Sequence, residues 1–153
     1  MSRIKPIITA QEHYDRLAES GHGRYDPPVM QSYMARWDGP VFFEALGDLT
    51  GKDVLEVGVG TGRIARQVLK RECRSLTGLD ISQKTIAAAK ADLADFDNVE
   101  LVFSDIIDFV GAESFDVVIS VLTFMHVQDK PLALQHIVDA LQRGGSLLLS
   151  IDI

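Results

Sequence analysis

The 153-residue chain contains one cysteine, no run of basic residues and no long apolar stretch. Cys73 has no partner for a disulfide within the chain, which is typical of a protein in a reducing compartment. No apolar segment reaches the length needed to cross a bilayer. The N-terminus has only Arg3 and Lys5 before it turns polar, so no secretion signal is expected. These absences predict a cytoplasmic protein without a membrane partner.

The overall composition also narrows the class of partner. The net charge is −7, which argues against a nucleic acid held mainly through its phosphates. A length of 153 residues allows one domain, and 46% hydrophobic residues can form a sizeable core. We therefore expect a single globular domain over residues 1–153 that recognises a small molecule.

The most informative stretch runs from Asp53 to Ala65 and changes character twice. It begins with an apolar, β-branched segment typical of a buried strand, and it resumes as a helix at Ile64. Between them stand three glycines at alternate positions, Gly58, Gly60 and Gly62. Glycine allows the main chain to approach a ligand closely, and the N-terminus of the helix offers unpaired N–H groups. This order predicts the first βα unit of a nucleotide-binding sheet.

The spacing of the glycines separates two ligand classes. A dinucleotide site reads G-x-G-x-x-G, which would need a glycine where Arg63 stands, so a nicotinamide dehydrogenase is disfavoured. With Glu56, the stretch instead reads E-x-G-x-G-x-G. This pattern resembles the first motif of the class I S-adenosylmethionine-dependent methyltransferases. The alternative is a glycine-rich turn that binds no ligand.

The rest of the chain alternates strands and helices, which predicts a mainly parallel sheet. Strands are expected at 75–79, 99–103, 115–121 and 146–153, and Ser82 is expected to cap the helix after the second strand. A last helix starts at the Asp129 cap, with Pro131 in its first turn, and is expected to end at Gly144-Gly145. Its buried side is predicted to consist of apolar residues, namely Leu134, Ile137, Val138 and Leu141.

The first 50 residues are predicted to be helical. Thr9 and Glu12 form a capping box that opens a helix to about Ser20, and further helices are expected at 26–37 and 41–46. The aromatic residues of this segment can simply pack a helical layer onto the sheet. In the methyltransferases that the chain resembles, the segment often covers the cofactor or meets the substrate. That resemblance makes three aromatics candidates for a lid or substrate contact: Tyr14, Tyr33 and Trp37.

The same resemblance assigns the remaining cofactor residues. Asp80, at the end of the second strand, would accept hydrogen bonds from the ribose hydroxyls, and Asp105, after the third strand, would accept from the exocyclic amine of adenine. A helix-capping or surface role is the alternative for Asp80, and the alternative for Asp105 is a lone aspartate after a strand without a ligand role. The full predicted set for S-adenosylmethionine is Glu56, Gly58, Gly60, Thr61, Gly62, Asp80, Ile81, Asp105, Ile106 and Ser120.

The resemblance extends from about Gly51 to the last residue and implies an α/β, Rossmann-like three-layer sandwich with strand order 3-2-1-4-5. It makes residues 51–153 the cofactor-binding core. The family fold continues with a sixth and a seventh strand, which are absent from this sequence. The apolar segment 147–151 would then form an open sheet edge, which is an aggregation hazard. We expect a cover for this edge, such as a second copy in a homodimer.

The resemblance implies a methyltransferase that acts on a small molecule, such as a quinone precursor or another metabolite. The chain lacks the Pro-Pro-aromatic and Pro-Cys motifs of the DNA-modifying enzymes of this fold, so a DNA substrate is disfavoured. As a separate prediction, no metal is expected. His126, after the fourth strand, is a candidate general base because imidazoles titrate near neutral pH. A packing role for His126 is the alternative. The rival function is a module that binds S-adenosylmethionine without catalysis of its own.

Overall fold

The computed structural model describes residues 8–19, 36, 39–111 and 113–150. Tyr33, Trp37 and nearly all of the helix predicted at 26–37 lie outside the described residues. No helix in the described ranges has the length and apolar character needed to cross a bilayer.

A five-stranded parallel sheet organises the described residues. The strand order is β3-β2-β1-β4-β5, as predicted. A short 3-10 turn, Phe124–His126, follows β4. The elements in chain order are α1 (Ala10–Glu19), α2 (Pro40–Leu46), β1 (Asp53–Val57), α3 (Arg63–Leu69), β2 (Ser75–Asp80), α4 (Gln83–Asp92), β3 (Val99–Phe103), β4 (Phe115–Val121), α5 (Lys130–Ala140) and β5 (Leu141–Ser150).

The sheet is covered on both faces, which explains why its central strands are almost continuously apolar. Alternate residues of β1 join opposite cores. Val54 packs in a cluster with residues of α2, α3 and α4, whereas Leu55 packs in a second cluster with residues of α5. The architecture is therefore the predicted three-layer sandwich.

Helix caps at the cleft side of the sheet follow the predicted chemistry. At the start of α1, the Glu12 amide donates to Thr9 Oγ1 at 3.1 Å and the Thr9 amide donates to Glu12 Oε2 at 3.0 Å. At α4, the Thr85 amide donates to Ser82 Oγ at 3.1 Å. Each cap satisfies backbone donors that the first helical turn leaves unpaired. Both predicted helix starts are confirmed.

The end of the last helix differs from the prediction. Helix α5 ends at Ala140 rather than at Gly144-Gly145, and β5 covers Leu141–Ser150 rather than starting at Ser146. Leu141 pairs with Phe115 and Ser146 pairs with Val117, so four residues of β5 stand opposite one of β4. Gly144, with φ of +82°, lies in this bulge. The glycine pair therefore allows an irregular strand and does not stop a helix.

The predicted buried side of α5 is also wrong in part. Ile137 is buried, but Leu134 and Val138 are exposed, by 37% and 59%, and Leu141 belongs to β5. The other buried residues of the helix are Ala133 and Ala140. The inner face therefore combines two alanines with one large apolar residue, and the hydrophobic side chains of Leu134 and Val138 do not mark it.

Candidate functional site

A cleft of about 740 Å³ lies at the carboxyl ends of the parallel strands. Residues from the turn after β1, the end of β2, the loop after β3 and the loop after β4 line it, together with the start of α1. In open α/β sheets, ligands bind at this edge, where neighbouring connections leave toward opposite faces. Its volume falls within the range usual for small-molecule and cofactor pockets.

Hydrogen bonds attach the glycine turn after β1 to the end of β2. The amides of Gly58 and Val59 both donate to the Leu79 carbonyl oxygen at 2.8 Å. In the same turn, the Gly60 amide donates to Asp80 Oδ2 at 3.0 Å. The turn and Asp80 are therefore held as one unit, although they lie 20 residues apart in the sequence.

Gly58 and Gly60, both in this turn, are glycine for different steric reasons. Both have positive φ, +81° at Gly58 and +57° at Gly60. A Cβ on Gly58 would lie 2.2 Å from side-chain atoms of Thr123, whereas a Cβ on Gly60 would meet no atom within 4 Å. Gly58 thus allows close packing of two loops, and Gly60 lines the cleft with bare main chain that a ligand can approach.

The carboxylate of Asp80 lies in the cleft in a partly buried position. Burial is the largest influence on its pKa and raises it. The amides of Ser82 and Gly60, which donate to its two oxygens, lower the pKa, and the negative charge of Asp15 raises it further. The net result is a pKa above the ordinary range of aspartate. Each carboxylate oxygen has further lone pairs for a ligand donor.

The loop after β3 forms another wall of the cleft and contributes Asp105 and Ile106. Asp105 Oδ1 accepts a bond from the Ile107 amide at 3.2 Å, which fixes the orientation of the carboxyl group. Ile106 is buried in the core on the α5 side of the sheet. Ile81, directly after β2, also lines the cleft.

The charges that line the cleft are mainly negative. Among the described residues, the acids Glu56, Asp80, Asp105 and Asp108 line it together with one cation, Arg63. Glu56 is 2% exposed and lies on the central strand β1. An acidic, partly enclosed site favours a cationic ligand. Within the part of the chain that the structure describes, no three His, Cys, Asp or Glu side chains form a cluster able to hold a metal ion.

Helix α1 brings Tyr14 next to His126 at the cleft. Both residues line it, and their rings meet edge-on with centroids 5.9 Å apart. The Ser82 hydroxyl donates to Asp15 Oδ1 at 2.6 Å, and Lys84 contacts Glu19. These two contacts attach α1, which carries Tyr14, to α4.

Two of the ten predicted cofactor residues do not line the cleft. Gly62 caps α3 with φ of +93°, and a Cβ there would come within 3.0 Å of Leu93. Ser120 is fully buried, and its hydroxyl donates to the Val57 carbonyl oxygen at 3.0 Å, which joins β4 to β1. The other eight lie together at the cleft: Glu56, Gly58, Gly60, Thr61, Asp80, Ile81, Asp105 and Ile106.

Leu122 and Thr123 are among the residues after β4 that line the cleft and that sequence reasoning missed. Leu122 has φ of +54°, which is unusual for a residue with a Cβ, and Thr123 fills the space beside Gly58. Their position just after a parallel strand was the available signal, because such loops form the sites of α/β sheets. No residue-type pattern marks them.

The turn, the carboxylates and the acidic cleft fit a cofactor with an adenosine part and a positive charge. Over residues 55–149, more than half of the chain, the sequence matches the family described as "Methyltransferase domain". The chain belongs to this methyltransferase family. The match confirms a class I S-adenosylmethionine-dependent methyltransferase domain and its cofactor, S-adenosylmethionine.

Individual similar proteins agree with the family. A malonyl-[acyl-carrier protein] O-methyltransferase from Ilyobacter polytropus is 31% identical over 99 residues, which are 64% of this chain and 37% of that protein. A solved structure described as the DhpI-SAM-HEP complex is 28% identical with a TM-score of 0.71, covering 90% of this chain and 62% of the other. A methyltransferase structure from Mesorhizobium loti, at 24% identity and TM-score 0.69, covers 74% and 52% and supports the fold.

The chain spans 37% to 52% of the length of the first three curated relatives that it matches.

Proposed function

We propose that the protein transfers a methyl group from S-adenosylmethionine to an oxygen atom of a small-molecule acceptor. The observation that supports this most directly is the acidic cleft in which the glycine turn and Asp80 are joined by a hydrogen bond. The Ilyobacter relative is named as an O-methyltransferase, and this name supports an oxygen acceptor.

The cleft residues divide the work of binding the cofactor. Bare main chain at Gly60 lies against the methionyl and ribose part, and Asp80 accepts hydrogen bonds from the ribose hydroxyls. Asp105 accepts from the exocyclic amine of adenine, with Ile81 and Ile106 covering the ring. The negative charges of the cleft stabilise the positive sulfur. Burial makes these contacts stronger than the same contacts in water.

When bound, S-adenosylmethionine supplies a methyl group that a nucleophile takes by in-line displacement, leaving S-adenosylhomocysteine. The protein must orient the acceptor, exclude water and remove the acceptor proton where there is one. His126 and Tyr14 lie side by side at the cleft and are the groups we assign to the acceptor. A ring nitrogen of His126 accepts the proton of a hydroxyl acceptor, and Tyr14 provides an aromatic surface beside it.

The first test is calorimetric titration of the purified chain with S-adenosylmethionine and S-adenosylhomocysteine, with NAD as the control. Binding of the first two in the micromolar range, and none of NAD, is expected. The second step measures S-adenosylhomocysteine formation with malonyl-coenzyme A, a carboxylate acceptor, and 3,4-dihydroxybenzoate, a phenolic acceptor. Glycine serves as the amine control.

The outcomes separate the two functions considered. Turnover with an oxygen acceptor supports the proposal, whereas turnover with glycine alone contradicts the choice of oxygen. Cofactor binding without turnover on any of the three favours the rival function, a binding module without its own catalysis. A folded sample that binds neither sulfur compound contradicts both functions.

We propose further that the protein forms a homodimer through β5. This strand is last in the sheet order and pairs only with β4 among the described residues. Its segment Leu147–Leu149 is partly buried and apolar, so the open edge is a template for another strand. Light scattering at micromolar concentration should give the mass of two chains. A monomer would contradict the pairing.

A further inference from the structure

The loop after β3 has a defined shape of its own. The Ser104 hydroxyl donates to the Asp105 carbonyl oxygen at 2.9 Å, and the Asp108 amide donates to the same oxygen at 3.1 Å. These bonds, with that from the Ile107 amide to Asp105 Oδ1, lie within the loop. They fix its conformation, and the Ser104 amide, which donates to the Asp80 carbonyl oxygen at 3.0 Å, attaches the start of the loop to the end of β2. The position of the residues after Ser104 determines how far Asp105 reaches into the cleft.

His136, on α5, attaches this loop to the rest of the fold. Its Nδ1 lies 3.1 Å from the Ile106 carbonyl oxygen and 3.1 Å from the Phe109 carbonyl oxygen. Because both partners are acceptors, Nδ1 must be the protonated nitrogen and donates to both. One side chain thus holds two points of the loop, and one of them is the residue directly after Asp105.

Helix α5, which carries His136, is packed against the sheet by fully buried residues. On either side of His136 along α5, Ala133, Ile137 and Ala140 are fully buried against the sheet. The loop approaches the same helix a second time at Gly111, where a Cβ would come within 2.9 Å of Ala140 Cβ. The loop is therefore positioned by α5 at two places, outside the cofactor cleft.

We propose that His136 is a positioning residue for adenine recognition: by holding the Ile106 and Phe109 carbonyls, it sets the position at which Asp105 meets the exocyclic amine. The inference rests on the proposed function, since it takes the adenine contact of Asp105 from there. His136 does not line the cleft. Without the double hydrogen bond, the loop keeps its internal shape and its approach to α5 at Gly111, but its Asp105 end loses the attachment to α5.

The test compares two ligands that differ at the recognised group. These are S-adenosylhomocysteine and S-inosylhomocysteine, in which an oxygen replaces the exocyclic amine and the adjacent N1 carries a proton. For His136→Ala, the affinity for S-adenosylhomocysteine should fall roughly 3- to 10-fold, the usual range for a lost hydrogen bond. The affinity for S-inosylhomocysteine should change less than about twofold on the same scale.

Conservative variants separate positioning from general support of the fold. The amide nitrogen of His136→Asn occupies the place of Nδ1 and should restore most of the selectivity for the amine. In His136→Gln the amide nitrogen corresponds to Nε2 and should not restore it. Gln135→Ala, at the exposed neighbouring position, is the matched control. Thermal unfolding of each variant shows whether the fold is retained.

Each outcome is decisive. A selective loss that Asn repairs and Gln does not supports the inference. Equal losses for both ligands, or no loss, overturn the inference and leave the proposed function standing if the wild-type chain binds S-adenosylhomocysteine. Failure of the folded wild-type chain to bind it overturns both. Should His136→Ala not fold, the comparison of His136→Asn with His136→Gln gives the same answer.

Discussion

Gly58 and Thr123 are packed so closely that a methyl group cannot be placed between them. A Cβ on Gly58 would lie 2.2 Å from both Oγ1 and Cγ2 of Thr123, and 2.5 Å from its Cβ. The contact joins the turn after β1 to the loop after β4, and both connections line the cleft. The close packing of these loops therefore fixes part of the cleft wall.

Substituting Gly58 by alanine should destabilise the whole domain. The new methyl group would displace one of the two loops, and φ of +81° is itself unfavourable for alanine. We expect a loss of about 3 kcal/mol or more in the free energy of unfolding, from overpacking and backbone strain together. Chemical denaturation measures it. A loss below about 1 kcal/mol would show that the loops can separate freely.

Gly60→Ala is the matched contrast, because its methyl group would enter empty space in the cleft. The backbone strain at φ of +57° should cost about 1–2 kcal/mol of stability, and the fold should persist. The methyl group would occupy the space that the cofactor needs, so binding of S-adenosylhomocysteine should be lost. Calorimetry on the folded variant tests this. Wild-type affinity would remove Gly60 from the cofactor site.

The contrast between these glycines shows what sequence can and cannot predict. The alternating pattern predicted that both glycines lie in one turn and that this turn needs glycine for its backbone conformation. That Gly58 packs against Thr123 could not be predicted, because the partner lies on a loop 65 residues away in the chain. Strands β3 and β4 were predicted at the observed bounds because their apolar runs are short and clearly delimited.

The region around α5 and β5 shows the opposite case. The apolar residues from Leu134 to Leu141 fit a helical period, so the local pattern predicted a helix that continues past Ala140. Leu141 is instead the first residue of β5, because it pairs with Phe115 of β4. Likewise, His136 leaves no signal in the sequence, since its partners are main-chain carbonyls of a distant loop. Tertiary contacts determine where α5 ends, where β5 begins and which groups His136 binds. A single sequence carries no pattern that reports such contacts.

The raised pKa of Asp80 predicts opposite effects of pH on stability and on binding. The folded, ligand-free protein holds the Asp80 proton more tightly than the unfolded chain. Its contribution to the free energy of unfolding therefore falls as pH rises from the unfolded pKa through the higher folded pKa. Ribose hydroxyls need the ionised carboxylate as acceptor, so affinity for S-adenosylhomocysteine should rise over the same interval.

Asp80→Asn isolates this contribution. The variant should lose both pH dependences, since the amide does not titrate, and it should bind S-adenosylhomocysteine more weakly. Thermal unfolding and calorimetry from about pH 4 to 7, taken as the difference between wild type and variant, remove the effects of other groups. Identical pH profiles for the two proteins would contradict an essential Asp80 carboxylate.

Asp15 should shift the pH midpoint of binding through its charge. It lies on α1, accepts a hydrogen bond from the Ser82 hydroxyl and raises the pKa of Asp80. Asp15→Asn keeps an oxygen that can accept this bond but removes the charge, so the midpoint should move to lower pH. Glu44→Gln, an exposed change on α2 outside the cleft, is the control. A midpoint that stays in place would show that α1 does not act on Asp80.

His126→Asn should separate proton removal from cofactor binding. If His126 accepts the acceptor proton, kcat with a phenolic acceptor should fall by about 100-fold or more, the usual contribution of a general base. The affinity for S-adenosylhomocysteine should not change, because our proposal gives His126 no cofactor contact. His13→Asn is the matched control, since His13 also meets Tyr14 edge-on, at 5.4 Å, but does not line the cleft. Equal kcat losses in both variants would instead indicate that the histidines act through the packing of Tyr14, and His126 would lose its role as base.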